Sequence, residues 1–370
     1  MNISSFPQPI VDRRDVMPAL TSAPRVVAIG GGTGLPNLLR GLRPLLYGDR
    51  ASTPRDQLVA VVTTTDDGGS SGRLRKELGV IPPGDIRNCL AALAEHRGLL
   101  ADLFQYRFDS GGGLNGHALG NLVLAALADV TNDFARAVEL AARAVGARGT
   151  VLPVTAEAVS LVAALEDGSL VRGETAIRNA GTKIVRLSLS PEDPKCLSAV
   201  IDAVAGADVI VLGPGSLYTS LLPPLLVPEL AEAVSAARAT RVFVMNLMTE
   251  PGETDGFGAP EHLRAIAAHV GRQLFDVALY STATLSPQTV AAYASRGAGP
   301  VIVSPGDLET LSAMGARAIG LPLASEMPPG TIRHHPGRLG AAITAVARGK
   351  LGAWRPPTRS ARPERRRSRA

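Results

Sequence analysis

A short β-branched run, Arg25–Ile29 (RVVAI), ends abruptly in Gly30-Gly31-Gly32-Thr33-Gly34. This junction constrains the fold more than any other feature of the chain. A buried parallel strand reads as a continuous apolar run. Leu35–Leu46 follows with helical apolar spacing, and Pro36 sits in the first turn, where a missing N–H is tolerated. Leu58–Val62 (LVAVV) is the next predicted strand, which completes a βαβ unit. The pattern returns at Asp208–Leu212, which runs into Gly213-Pro214-Gly215-Ser216, then at Val242–Met245, a helix around Glu261–Val270, Asp276–Leu279 and Val301–Val303. The expected fold is α/β and Rossmann-like, a mainly parallel sheet with helices on both faces. Ligands of such sheets sit at the carboxyl ends of the strands, near a topological switch point. One stretch breaks the rhythm. Val159–Leu165 and Leu170–Ile177 flank Glu166-Asp167-Gly168-Ser169, which predicts a β-hairpin insertion, a lobe over about 157–178.

Charge and composition exclude several function classes. The chain of 370 residues carries a formal +5, but from Arg355 to the end there are seven arginines and one glutamate, so the rest sums to −1. The basic pI of 9.5 therefore reports on a tail, and nucleic acid is not the expected partner. Aromatic residues are 4% of the chain, too few for a base-stacking surface, whereas 45% hydrophobic residues supply a sizeable core. Cys89 and Cys196 form no CxxC pair, which argues against zinc or redox chemistry and fits a reducing, cytoplasmic setting. No apolar run reaches membrane-spanning length. The expected organisation is a flexible leader over 1–23, one α/β domain over 24–350 and a disordered Arg-rich tail over 351–370.

Several loops carry candidate ligand chemistry. Gly31, Gly32, Thr33 and Gly34, between a strand and a helix N-terminus, can present backbone N–H groups to phosphate. The loop is neither the G-x-G-x-x-G fingerprint, because Leu35 takes the last place, nor a P-loop. At the end of the second strand, Asp66 and Asp67 can take ribose hydroxyls or hold Mg²⁺ beside a phosphate, and Ser70 and Ser71 add donors. Asp85, after Pro82-Pro83-Gly84, can cap its helix or bind ligand. His117 and Asn121 are four apart and share a helix face. Gly215, Ser216, Tyr218 and Thr219 belong to the second Gly-rich loop and its helix, and Asn246 and Thr249 follow another strand. Arg333 can grip a pyrophosphate bidentately. Each pattern also has a purely structural use as a turn, a cap or a surface loop.

The segments GGGTGLPNLLRGL, TDDGGSSGRLRKELGVIPPGDIRNCLAAL, LFQYRF, GHALGNLVLAAL, RGTVLPVT, LGPGSLYTSLLP and MTEPGETDG occur in this order between Arg25 and Gly349. In them the chain resembles the YvcK family of gluconeogenesis or morphogenesis factors. The resemblance implies a Rossmann-like fold shared with CofD-type 2-phospho-L-lactate transferases. It also implies a regulator that binds UDP-sugars, UDP-N-acetylglucosamine among them, and links gluconeogenic carbon supply to cell-wall synthesis and cell shape. Protein partners in cell-wall synthesis and a homodimer are expected on the same ground. On this reading Gly31, Gly32, Thr33, Gly34, Ser216 and Arg333 contact the diphosphate. Asp66, Asp67, Asn121, Tyr218, Asn246 and Thr249 contact ribose, base or sugar, and Ser70 and Ser71 serve either set. The alternative implied by the CofD relatives is a transferase that moves a phospholactyl group from a guanosine diphosphate carrier to a deazaflavin, with Mg²⁺ on Asp66, Asp67 and Asp85. The sequence departs from the family pattern at Thr64-Thr65, Asn115, Ala118 and His335-Pro336. Pro336 has no hydroxyl, so a regulatory phosphorylation there is not expected.

Overall fold

A computed structural model describes residues 23–48, 53–95, 99–327 and 330–349. The predicted tail, and the leader up to residue 22, lie outside the described residues. The strands are β1 (Val26–Gly30), β2 (Leu58–Val62), β3 (Thr150–Pro153), β4 (Ser160–Leu165), β5 (Leu170–Arg172) and β6 (Ile184–Ser190). They continue as β7 (Val209–Leu212), β8 (Thr240–Val244), β9 (Val277–Ser281), β10 (Arg317–Leu321), β11 (Ala324–Met327) and β12 (Thr331–His334). Seven of them form one sheet in the order β10-β9-β8-β7-β1-β2-β3, and every pairing in it is parallel. The chain leaves β1 toward β2 on one side and returns to β7 on the other. That reversal makes the β1/β7 boundary the switch point.

The period-2 alternation of each central strand feeds two cores. Val26 and Ala28 join a layer with Leu58, Ala60 and Val62 under the helix Gly34–Tyr47. Val27 and Ile29 join the opposite layer with Ile210, Leu212 and Phe243. The helix Gly34–Tyr47 buries Leu35, Leu38, Leu39, Leu42 and Leu46, the one-face spacing of an amphipathic helix. Each such leucine contributes roughly 1.5–3 kcal/mol.

Two expectations are corrected. Val301–Val303 is no strand of the sheet: Ile302 is exposed, while Val301 and Val303 pack against the second core and the segment is tied by the Val301 N–H to the Leu247 carbonyl and a bridge from Pro300 to Met248. The next strand is instead β10, an edge strand at which no position is fully buried, which is why its pattern is faint. The predicted hairpin is the core of a three-stranded antiparallel sheet, β5-β4-β6. Its second arm stops at Arg172, because Gly173 turns the chain at φ +95° into the helix Glu174–Asn179. The inner face of this sheet, with Leu161, Ala163, Leu187 and Leu189, joins the second core.

The last helix, Pro336–Ala347, crosses Gly34–Tyr47 with backbone against backbone. A Cβ on Gly41 would stand 1.9 Å from the Pro336 carbonyl oxygen, and one on Gly340 would stand 2.5 Å from the Gly41 oxygen. Neither obstacle is a flexible side chain, so Gly41→Ala is expected to lower stability by about 3 kcal/mol, the upper end for overpacking. Gly113→Ala, where a Cβ meets nothing within 4 Å, is the control and should stay within about 0.5 kcal/mol of wild type in urea unfolding.

Candidate functional site

The carboxyl ends of β1, β2, β7 and β8 open into a cleft of about 530 Å³ at the switch point. Of the residues singled out in the sequence, Gly32, Thr33, Gly34, Asp66, Asp85, Gly215, Ser216, Asn246, Thr249 and Arg333 line it. The two Gly-rich loops meet as bare backbone: a Cβ on Gly34 would stand 2.2 Å from the Pro214 carbonyl oxygen. Arg333, exposed at the end of the β11–β12 hairpin, donates from Nη1 to Thr33 Oγ1 at 3.0 Å.

Asp85 has a role the sequence did not suggest. It makes no cap bond in its own helix, Gly84–Leu93. Its Oδ2 instead accepts the Gly32 N–H at 2.7 Å, so a carboxylate already holds one donor of the glycine loop. The donors left for a ligand include those of the first turn of Gly34–Tyr47, together with Thr33 and Arg333, whereas the Ser216 hydroxyl is taken by the Glu250 carboxylate. Asp66 Oδ1 accepts the Gly68 N–H at 2.9 Å, which folds its loop back toward the cleft.

Other candidates lie outside the lining. Asp67 Oδ1 accepts both the N–H and the hydroxyl of Thr175, at 2.9 and 2.7 Å, and so caps the helix Glu174–Asn179 from another part of the chain. Gly31 packs against Thr63 and Asp85, where a Cβ would stand 2.5 Å from Thr63 Cγ2. Ser70 Oγ lies 3.0 Å from His117 Nδ1 and accepts from Asn121 Nδ2 at 3.0 Å, a buried polar knot between two helices. Ser71 is buried against Gly84. The Tyr218 ring packs edge-on against Phe257 and His269. Its N–H and the Thr219 hydroxyl bind the two oxygens of Glu253, which is itself buried. Thr249, although on the lining, spends its hydroxyl on the Gly299 N–H at 2.9 Å.

Sequence reasoning missed Asn37, Glu174, Arg178, Glu250, Tyr293, Arg296 and His334, all of which line the cleft. Glu174 and Arg178 are an i,i+4 pair on a helix hidden inside a predicted strand arm. Arg296 stacks 4.7 Å from the Tyr293 ring centroid. Asn246 Oδ1 and His334 Nε2 are buried without a hydrogen-bond partner among the described residues. Such orphaned atoms suit a polar ligand. Burial drives the His334 imidazole down to about 4, so it is neutral.

Four carboxylates, Asp66, Asp85, Glu174 and Glu250, face three guanidiniums, Arg178, Arg296 and Arg333. Desolvation, reinforced by the Asp66 charge, lifts Asp85 to about 6 and Glu174 to about 8. Desolvation with the neighbouring Glu250 lifts Glu253 to about 7. Asp66 and Asp85 have the hard oxygen donors that suit Mg²⁺. Asp67, committed to Thr175, does not join them, and no group of three or more metal-ligating side chains occurs among the described residues.

The fold and cleft define a Rossmann-like α/β protein with a ligand site between two Gly-rich loops. A family model described as 2-phospho-L-lactate transferase CofD matches residues 26–324. The gluconeogenesis factor of Halalkalibacterium halodurans is 46% identical over 318 residues, 86% of this chain and 95% of its own length. That of Bacillus subtilis is 45% identical over 296 residues, 80% of this chain and 90% of its own. A crystal structure of a UPF0052 family member from Bacillus halodurans shares the fold with a TM-score of 0.79 at 45% identity, covering 86% of this chain and 98% of that one. The chain belongs to the CofD family, in its gluconeogenesis-factor (YvcK, UPF0052) group. No helix among the described residues is long and apolar enough to cross a membrane.

The raised carboxyls have a consequence for stability. Asp85, Glu253 and Glu174 hold protons more tightly folded than unfolded, so the stability they contribute is complete below about pH 4 and is lost as pH rises through 6, 7 and 8. Urea midpoints are expected to fall between pH 6 and 9, and Glu174→Gln should flatten the upper part of that fall. A midpoint that rises over this interval, or an unchanged slope in the variant, contradicts the assignment.

Proposed function

We propose that the chain binds a UDP-sugar of the UDP-N-acetylglucosamine class in the switch-point cleft. Its role is that of a cytoplasmic regulator coupling gluconeogenic carbon supply to cell-wall synthesis. The observation that carries this reading is the Arg333–Thr33 contact, which brings a guanidinium to the mouth of the first glycine loop, opposite the Gly213–Ser216 loop. A diphosphate between them meets helix-terminal N–H groups, the Thr33 hydroxyl and a guanidinium. The unpartnered Asn246 Oδ1 and His334 Nε2 offer polar contacts to base or sugar. The relatives' designation as gluconeogenesis factors supports the regulatory side of the proposal.

The second reading, a CofD-like transferase, draws on Asp66 and Asp85, which share the cleft and would hold Mg²⁺ to offset charge on a transferred phosphoryl group. The engagement of Asp67 by Thr175 leaves the implied acidic triad one member short, which favours the binding reading.

Calorimetric titration with UDP-N-acetylglucosamine, UDP-glucose, GDP and NAD, with and without Mg²⁺, separates the two. The expected result is saturable UDP-sugar binding that Arg333→Ala weakens about tenfold or more, the loss of a charge-assisted contact. GDP binding that requires Mg²⁺, with no UDP-sugar binding, would transfer the assignment to the transferase.

A further inference from the structure

We infer that Arg178, carried by the antiparallel lobe, is a second phosphate-binding guanidinium of the cleft, and that Asp67 is the latch that positions it. The inference rests on the nucleotide-diphosphate reading above.

Arg178 lines the same cleft as Arg333 but comes from a different part of the fold. Its helix, Glu174–Asn179, lies between β5 and β6 and is bounded by Gly173 at φ +95° and Gly181 at φ +66°. Ile177 buries one face of this helix in the second core, and Asp67 ties its first turn to the parallel domain. One carboxylate oxygen takes the N–H and the hydroxyl of Thr175 in the first turn. The other fills the space a side chain at position 173 would need, since a Cβ on Gly173 would stand 2.2 Å from it. The N-cap position carries no side chain of its own, so the cap is supplied across the boundary between lobe and domain.

The guanidinium presented in this way is only lightly committed. Its side chain is 54% exposed, and its partner is Glu174, one turn back on the same helix. Solvent reaches the Arg178 end of this pair and weakens it, although Glu174 itself is largely buried. Around it stand three carboxylates from two other elements: Asp85 of the helix after Pro83, and Glu250 and Glu253 of the loop after β8, each of which feels its charge. A diphosphate entering a cleft lined by acids needs positive charge on more than one wall. Arg333 supplies it at Thr33, and Arg296 is stacked on Tyr293. Arg178 can exchange Glu174 for a phosphate oxygen in a stronger, bidentate contact. Asp67, which in sequence looks like a ligand residue, then acts through Thr175 on Arg178 and touches no ligand itself.

The test is a double-mutant cycle on the full chain, with UDP and UDP-N-acetylglucosamine as probes and thermal midpoints measured in parallel. Arg178→Ala is expected to weaken both probes about tenfold or more. Because it also takes a positive charge from the largely buried Glu174, its midpoint is compared with that of Arg178→Ala combined with Glu174→Gln, which removes both ends of the pair and should bind as weakly. Asp67→Asn and Thr175→Val should each weaken binding in the wild-type background and have no further effect once Arg178 is alanine. Equal losses in both backgrounds would mean that the latch serves the lobe alone, and would overturn its positioning role. Wild-type binding that Arg178→Ala leaves within twofold overturns the inference while the binding reading stands. A wild-type chain that binds neither probe overturns both.

Discussion

The structure depends on a contact between two stretches of backbone with no side chain between them. Gly34, where the first helix begins, lies against the Pro214 carbonyl of the loop after β7, and no residue with a Cβ fits. This contact lets β1 and β7 pair in parallel while both loops open toward the same edge. It also changes the explanation of the glycines. Their first use is to let protein backbone approach protein backbone, and close approach by a phosphate is available only where that packing leaves donors facing outward. Gly32 has already given its N–H to Asp85. A second close crossing, at Gly41 and Gly340, fixes the last helix and with it the β12 strand that ends in Arg333 and His334. The cleft is therefore assembled from segments some 300 residues apart by two places where only glycine fits.

Acids and guanidiniums share this cleft in a balance that a ligand would alter. Burial has raised several carboxyls toward neutrality, and each arginine rests on a modest partner: a threonine hydroxyl, an aromatic ring or an adjacent glutamate. None of these partners is a buried ion pair of the kind formed by Arg241 and Asp276, which lie at the far end of the sheet strands and serve packing. Lightly held cations beside half-neutral acids form a surface ready to accept an anion without first breaking a strong contact.

The fold was legible in the sequence wherever a strand is central. β1, β2 and β7 are apolar throughout, as is β8 over Val242–Val244, and they stop at polar or glycine-rich loops, so their position and their ligand-facing ends could both be read. Edge elements were not legible, because partial burial leaves no clear period: β10 was missed and Val301–Val303 was taken in its place. Among site residues, the loops on the switch point were legible because glycine and hydroxyl residues cluster there. Asp67, Ser70, His117, Asn121, Tyr218 and Thr219 carry the same chemistry, yet the structure uses their polar atoms, or their burial, to join helices and loops. Residue type and spacing alone do not distinguish a polar group that meets a ligand from one that meets another helix. Glu174 and Arg178 were hidden for the opposite reason, since only the lobe's fold brings that helix to the cleft.

The central claim is that one cleft at the β1/β7 switch point receives the diphosphate of a UDP-sugar. A crystal structure of the full chain grown with UDP-N-acetylglucosamine tests it most directly. The account predicts phosphate oxygens within hydrogen-bond distance of the Thr33 and Gly34 backbone and of Arg333, with uridine or sugar against Asn246 and His334. A nucleotide bound with its phosphates away from both Gly-rich loops would contradict it.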